Sequence, residues 1–218
     1  MTEPTLAAGI DLLQQRTKIL KILLVAGMIL IVAVFAGQIA EFNGLFSLAP
    51  DAPVTEAAAF YLVAVLADAL LTLITYILFG MWIYRAAANV RAAAVPGFTF
   101  TPSWAVGWYF VPIANLFQPY QAMRQIWNAS HGGDKDELYR GHPLLAAWWG
   151  AWLFTAAVGT MSYVASASPD SPGEFREGQI LGMIYSGASL ILYPLAIELV
   201  HRVAEGQRRR LTAAHIFA

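Results

Sequence analysis

Four long apolar runs constrain the fold of this chain more than any other feature. They cover residues 22–40, 57–84, 143–165 and 178–200. Each is close to the roughly 20 residues that a helix needs to cross the hydrocarbon core of a bilayer. A helix pairs its backbone polar groups within its own segment, as lipid requires. The runs therefore predict an all-α fold, an integral membrane four-helix bundle.

Composition supports this interpretation and excludes several classes of protein. Hydrophobic residues make up 58% of the sequence and charged residues 12%, whereas about a quarter of the residues in ordinary globular proteins are charged. The net charge of −1 argues against a nucleic-acid partner, because nucleic-acid binding needs a basic stripe. The absence of cysteine excludes disulfides, thiolate metal sites and a cysteine nucleophile.

The positions of Lys and Arg predict the orientation. All of them except Arg176 lie before the first run, between the second and third runs, or after the fourth. The other two loops are acidic and contain Glu41, Asp51, Glu56, Asp170, Glu174 and Glu177. Since basic segments stay in the cytoplasm, we expect both termini of this membrane protein to be cytoplasmic. A cleaved signal peptide is an alternative interpretation of the first run.

This orientation divides the chain into three parts. Residues 1–21 form an amphipathic cytoplasmic segment, residues 22–203 a four-span membrane domain, and residues 204–218 a basic cytoplasmic tail.

The segment 101–130 is too apolar for an ordinary loop and too interrupted for a span. Its apolar part, Trp104 to Phe117, is shorter than a crossing helix needs, and Pro112 would break a helix there. Pro119 is well placed to begin a new helix. We therefore predict a re-entrant or interfacial hairpin, followed by an amphipathic surface helix.

The pattern after Pro119 is typical of an amphipathic helix in the membrane interface. One face would carry Tyr120, Met123, Ile126 and Trp127, while Gln121, Arg124, Gln125 and Asn128 would face elsewhere. If the hairpin crossed the bilayer instead, the basic residues after it would be exported, contrary to the positive-inside rule.

Polar residues inside the spans are candidates for function, because such groups are costly in lipid. Asp68 lies about 25 Å of helix from Arg85, in the outer half of the membrane. The same rise brings Gln38, Thr160 and Tyr185 or Ser186 to about its level. Asp68 could be structural, or it could bind an ion, a proton or a substrate.

A metal site is disfavoured, although Glu198 and His201 form half of a di-metal pattern. That pattern needs a second copy and two further carboxylates at the same depth, and the sequence offers neither. We expect Glu198 to pair with Arg85 or His201, and we expect no cofactor.

Small residues recur at four-residue spacing in the third and fourth spans and predict close helix contacts. They are Ala147, Ala151, Thr155, Gly159, Gly178 and Gly182. Packing within the bundle and a homodimer interface are both open interpretations.

The order of the motifs RAAANV at Arg85, the central segment 101–130 and PLLAAWWGAW at Pro143 resembles the bacterial membrane proteins grouped as domain of unknown function 4328. The positions that match its pattern are Arg85, Asn89, Trp104, Trp108, Pro112, Asn115, Pro119, Tyr120, Arg124 and Trp127. The resemblance implies a multi-pass protein with its signature in the central loop, and it transfers no catalytic residue.

Three hypotheses for function follow. The first is a non-catalytic accessory, assembly or lipid-contacting protein that acts through the segment 101–130, with membrane lipid and a membrane-protein partner or second copy as its contacts. The second is a small transporter or channel with Asp68 on the pathway. The third is a lipid-modifying enzyme at the cytoplasmic interface. A pocket there would draw on Arg85, Asn89, Trp108, Asn115, Tyr120, Arg124, Glu198 and His201.

Overall fold

The computed structural model describes residues 5–48, 52–133, 137–167 and 172–216. Its helices are α1 (Leu6–Phe42), α2 (Glu56–Ala92), α3 (Pro102–Gly107), α4 (Gln118–Ser130), α5 (Pro143–Ala167) and α6 (Pro172–Ile216). Two short 3-10 turns, Trp108–Phe110 and Ala114–Leu116, lie between α3 and α4. Throughout the described ranges the regular structure is helical, which confirms the all-α fold. Asp51 and Asp170, and the side chain of Glu174, lie outside the described residues.

Four of the helices, α1, α2, α5 and α6, are long and apolar enough to cross a membrane. Each contains one of the predicted runs, and the chain is therefore a multi-pass membrane protein. The helices α1 and α6 extend beyond the runs, with 37 and 45 residues respectively. The predicted amphipathic segment thus continues into the first span, because no proline or other strong helix breaker interrupts the chain between Leu6 and Phe42.

The chain folds into two compact units, which differ in their content of charged residues. We call Met1–Ile22, Thr75–Trp149 and Leu195–Ala218 the basic unit, because these residues contain twelve Lys and Arg and seven Asp and Glu. We call Leu23–Ile74 and Gly150–Pro194 the acidic unit, because these residues contain one Arg and seven Asp and Glu.

The acidic unit packs small residues against rings. A small core of Ile31, Val34 and Ala64 is surrounded by partly buried tyrosines. Gly159 on α5 lies against the ring of Tyr185 on α6, so the predicted small face receives an aromatic side chain of the same unit. Large apolar side chains remain exposed around the unit, among them Ile29, Phe60, Leu66 and Tyr163. An apolar surface of this kind is suited to lipid.

The basic unit has a tight core in which polar side chains join the helices. The indole of Trp82 on α2 is fully buried, and its Nε1 donates to Oγ1 of Thr17 on α1 at 2.8 Å. Gly206 on α6 lies so close to α4 that a Cβ atom would stand 2.6 Å from the carbonyl oxygen of Ser130. This close approach explains why a glycine occupies position 206.

Candidate functional site

The segment 101–130 begins with a capped helix. Oγ1 of Thr101 accepts from the backbone N–H of Trp104 at 3.2 Å, and Pro102 occupies the first turn of α3. A threonine cap followed by proline is a typical helix start. The helix lasts only until Gly107 and tightens into the first 3-10 turn.

The chain then reverses direction at Ile113. This residue has φ of 67° and ψ of −51°, and the N–H of Ala114 donates to the carbonyl oxygen of Pro112 at 2.7 Å. These values describe a classic γ-turn, which is rare and strained, and a β-branched residue makes the strain greater. The helix break predicted at Pro112 is confirmed.

The reversal presents apolar side chains on the outside. Phe110 is 81% exposed and Ile113 is 76% exposed. Leu116 and Phe117 are exposed beside them. We call these four residues the apolar tip. The described part of the chain leaves it exposed, and a contiguous exposed apolar patch is typical of a surface that contacts lipid or another protein.

The helix α4 returns the chain to the protein. Pro119 lies in its first turn, and Met123, Ile126 and Trp127 are buried, in agreement with the predicted amphipathic pattern. The prediction for Gln125 was wrong, because its side chain is also buried. Its Oε1 accepts from the backbone N–H of Thr99 at 3.0 Å, and its Nε2 donates to Oγ1 of the same residue at 3.0 Å.

An open groove of about 390 Å³ lies between α3 and α4. Its lining consists of hydroxyl, amide and aromatic side chains: Thr99, Phe100, Thr101, Trp104, Trp108, Gln118, Gln121, Gln125 and Tyr139. The rings of Trp104 and Trp108 contact each other with centroids 4.6 Å apart. Such a lining can stack on a ligand and exchange hydrogen bonds with it. The lining residues that the structure describes include no carboxylate, imidazole or lysine.

Arg124 lies beside this groove. Its guanidinium carbon stands 5.7 Å from the ring centroids of both Tyr120 and Tyr139, within the range of a cation–π contact. The rings thus hold the Arg124 head group next to the groove, and Tyr139 contributes to both features.

A second polar cluster joins three helices of the basic unit. Nδ2 of Asn89 on α2 donates to the carbonyl oxygen of Gly9 at 3.1 Å and to Oε1 of Gln207 at 3.0 Å. Nε2 of Gln207 donates in turn to the carbonyl oxygen of Ala86 at 3.0 Å. We call this cluster the amide network. A side chain at Gly9 would collide with Oδ1 of Asn89.

The sequence analysis missed Gln207, which it assigned to the basic tail. Its position could have been found from periodicity, since Val200, Val203 and Ala204 precede it at spacings of seven, four and three residues, and all four are buried. This spacing marks one helix face.

The predicted pocket residues lie in several places within the basic unit. Asn89 belongs to the amide network, Trp108 lines the groove, and Tyr120 and Arg124 stack together. Arg85 is buried near Gly9, Asn115 is half-buried in the second 3-10 turn, and His201 is exposed on α6.

Glu198 does not have the expected partner. Its Oε1 accepts from Nε of Arg202 at 2.5 Å, and the expectation of Arg85 or His201 was wrong. A partner four residues along the same helix is reached without any tertiary constraint.

Two histidines contact one tryptophan in the basic unit. The centroid of the Trp127 ring lies 4.4 Å from that of the His131 ring and 4.6 Å from that of the His142 ring. Burial lowers the pKa of His142, and the positive charge of Arg202 lowers it further. Among the described residues, no three His, Asp or Glu side chains stand close enough to hold a metal ion.

Asp68 belongs to the acidic unit, where it is half-buried. Its Oδ1 has no hydrogen-bond partner among the described residues. Of the groups predicted at its level, Gln38 accepts from Ser186 at 2.8 Å and Thr160 donates to the carbonyl oxygen of Ala156 at 2.9 Å. Tyr185 packs against Gly159. The role of Asp68 stays a prediction.

Comparison with known proteins adds one finding to this geometry. No curated protein and no solved structure matches the chain. The family described as domain of unknown function (DUF4328) matches residues 48–205, more than half of the sequence. The match includes the apolar tip, all the residues that line the groove and the Asn89 end of the amide network. The matched residues cover α2 to α5 and α6 as far as residue 205, and this chain is therefore a member of the DUF4328 family.

Proposed function

We propose that this protein has a non-catalytic role in the membrane, and that it contacts lipid and assembles with other membrane components through residues 101–130. In this proposal the protein lies in a bacterial inner membrane with both termini in the cytoplasm. The segment 101–130 enters the cytoplasmic leaflet at its apolar tip and returns to the same side.

The exposure of the apolar tip carries this proposal. Moving a large apolar side chain out of water is worth about 1.5–3 kcal/mol, so leaving Phe110 and Ile113 in water would be costly. Ile113 is held in the strained γ-turn, and Phe110 lies three residues before it, at the end of the first 3-10 turn. Strain of this kind is retained where the surrounding structure enforces it, and it clusters at sites that bind.

The distribution of charge supports the orientation. Twelve of the thirteen Lys and Arg belong to the basic unit, which also contains the segment 101–130. Cytoplasmic leaflets carry anionic lipids that attract basic segments. A tip on the basic unit would therefore meet the leaflet that this unit favours.

The depth of the tip can be measured without altering other thiols, because the chain contains no cysteine. Single substitutions Phe110→Cys and Ile113→Cys would each carry a nitroxide spin label in lipid nanodiscs. We expect both labels to be accessible to oxygen and protected from a water-soluble paramagnetic reagent. The exposed Arg91, placed at the end of α2, provides the control Arg91→Cys, whose label should be accessible from water.

The side of entry is tested with the same variants in intact cells. A thiol reagent that does not cross the membrane should leave Phe110→Cys unlabelled from outside. Labelling from the outside, or two tip labels that lie fully in water, would refute the hairpin.

Assembly is tested by purification from native membranes. The wild type and the double variant Phe110→Ser, Ile113→Ser would be compared for bound lipids and proteins. We expect the double variant to lose a component that the wild type retains, while the Arg91→Cys control keeps it. If the wild type, the double variant and the control copurify with the same lipids and proteins, the apolar tip is not needed for assembly and this part of the proposal is refuted.

The buried Oδ1 of Asp68 favours transport as a second candidate function. An intramembrane carboxylate without a partner is typical of proton or ion pathways. Reconstituted Asp68→Asn should then keep its thermal stability and lose proton or cation flux. Flux that is absent from the wild type, or equal in both, would eliminate this candidate.

A further inference from the structure

Arg85 on α2 is a buried cation that has no counterion among the described residues. The residue is 8% exposed, and its Nε finds no hydrogen-bond partner in the part of the chain that the structure describes. None of the ion pairs formed by the described residues includes it. Burying a charge is strongly unfavourable unless an opposite charge or several hydrogen bonds compensate it. The fold therefore retains an arginine where an apolar residue would be less costly.

A second guanidinium lies close to the first. Arg16 on α1 is half-buried and donates from a terminal nitrogen to the carbonyl oxygen of Met81, one turn before Arg85 on α2. Both guanidinium groups therefore lie where α1 meets α2, Arg16 at Met81 and Arg85 beside Gly9. Two like charges held together in a partly buried place increase the need for an anion.

The described carboxylates of the basic unit do not supply that anion. Glu137, Glu198 and Glu205 pair with arginines on their own segments, and Asp11 is exposed on α1. The neighbouring Asn89 uses its amide hydrogens within the amide network. The positive charge at Arg16 and Arg85 is thus left uncompensated by this part of the chain.

We propose that Arg85 and Arg16 together bind one phosphate group, supplied by an anionic phospholipid of the cytoplasmic leaflet or by a free phosphate ion. Guanidinium groups match phosphate oxygens with two parallel hydrogen bonds. Arg85 directly follows the predicted end of the second span, and Arg16 lies six residues before the first, which is the depth of lipid headgroups. Because Arg16 is only half-buried, a phosphate group can reach the site from the side of this residue.

This site is independent of the segment 101–130. It could therefore exist whether or not the apolar tip enters the membrane, and its test uses different residues.

Thermal unfolding after removal of lipid tests the charge argument. Arg85→Met keeps an unbranched, flexible side chain and removes the charge. In delipidated detergent we expect this variant to be at least as stable as the wild type, because an uncompensated charge has been removed. Adding phosphatidylglycerol should raise the unfolding temperature of the wild type and not that of Arg85→Met, whose apparent affinity for the lipid should fall at least tenfold. The exposed Arg91 on the same helix gives the control Arg91→Met, which should respond as the wild type does.

Two further additions identify the source of the phosphate. Diacylglycerol with the same acyl chains lacks the phosphate and should not stabilise the wild type. Inorganic phosphate, compared with sodium chloride at equal ionic strength, should stabilise it only if the site accepts the free ion. A response to phosphatidylglycerol alone assigns the site to lipid, and a response to both assigns it to the phosphate group itself.

Several results would overturn the proposal. Arg85→Met could be less stable than the wild type in delipidated detergent, which would mean that the protein itself satisfies the guanidinium. Phosphatidylglycerol could stabilise Arg85→Met as much as the wild type. The carboxylates of the basic unit that lie outside the described residues, Glu3, Asp134 and Asp136, are the rival counterions. The proposal also fails if phosphatidylglycerol stabilises the protein only after one of them is neutralised, as in Glu3→Gln.

A variant that does not fold would not leave the question open. If Arg85→Met does not fold, the proposal requires that phosphatidylglycerol raise the unfolding temperature of Arg16→Gln less than that of the wild type. In addition, native mass spectrometry of the wild type must detect at least one anionic phospholipid that survives delipidation, and its absence would refute the lipid source.

Discussion

The amide network allows a quantitative test of how the basic unit is held together. Asn89 is fully buried, and Nδ2 makes two hydrogen bonds, to the carbonyl oxygen of Gly9 and to Oε1 of Gln207. Asn89→Leu preserves the shape of the side chain and removes both donors. Oε1 of Gln207 is then buried without a donor, whereas the carbonyl oxygen of Gly9 retains its bond within α1.

The expected loss follows from these contacts. A hydrogen bond contributes about 0.5–1.5 kcal/mol net, and a buried group left without its partner costs about 1–3 kcal/mol. We therefore expect Asn89→Leu to lower the free energy of unfolding by about 2–4 kcal/mol. Gln207→Met should have a similar effect, because it leaves one amide hydrogen of Asn89 without an acceptor.

The double variant separates this account from simple loss of packing. When both polar partners are replaced by apolar groups of similar shape, neither leaves the other unsatisfied. The double variant should therefore be less destabilised than the sum of the single variants, with a coupling of about 1 kcal/mol or more.

The assay is unfolding by sodium dodecyl sulfate in bicelles, followed by tryptophan fluorescence. Asn43→Leu serves as the control, because Asn43 is exposed directly after α1 and its Nδ2 donates to the carbonyl oxygen of Ile39 in the last turn of that helix. It should change stability by no more than about 0.5 kcal/mol. Strictly additive effects, or an Asn89→Leu variant as stable as the control, would refute the reasoning.

Three further predictions use single positions. Gly206→Ala should destabilise the protein by about 1–3 kcal/mol because it overpacks a helix contact, and Gly187→Ala, whose added Cβ meets nothing within 4 Å, should stabilise it by about 0.5–1 kcal/mol, as measured by thermal unfolding in detergent. Thr17→Val should cost about 1–3 kcal/mol, because the buried N–H of Trp82 loses its acceptor, and equal melting curves would contradict this. The lowered pKa of His142 means that the stability from this group is present above its usual value of 6.5 and is lost as the pH falls below it. The wild type should therefore unfold at lower temperature at about pH 5 than at about pH 7.5, and His142→Gln should reduce that difference.

In the segment 101–130, the sequence predicts the helix breaks and starts but not the burial of every side chain. The break at Pro112 and the helix start near Pro119 were predictable, because proline restricts its own backbone and removes a donor wherever it stands. The burial of Gln125 was not, because its hydrogen bonds go to Thr99, 26 residues earlier. A pattern of polar residues cannot indicate which of them will find a distant partner.

The same limit applies to the arginines and glutamates. The sequence predicted that Glu198 would meet a basic group, and it does, but the partner is Arg202 rather than Arg85. Arg85 is instead left buried beside Gly9, on another helix. Which charged groups meet depends on how neighbouring helices are rotated, and small residues such as Gly9 and Gly206 decide how closely they approach.

The sequence by itself determined the helical class, the number of spans and the place where the central segment breaks. These features follow from the length of apolar runs and from proline, and both act on the chain locally. Only the tertiary structure decided that Asn89 and Gln207 join α2 to α6, that a groove opens between α3 and α4, and that Arg85 is buried beside Gly9 of α1. These features arise where residues distant in the chain pack together, and helix periodicity alone does not contain that information.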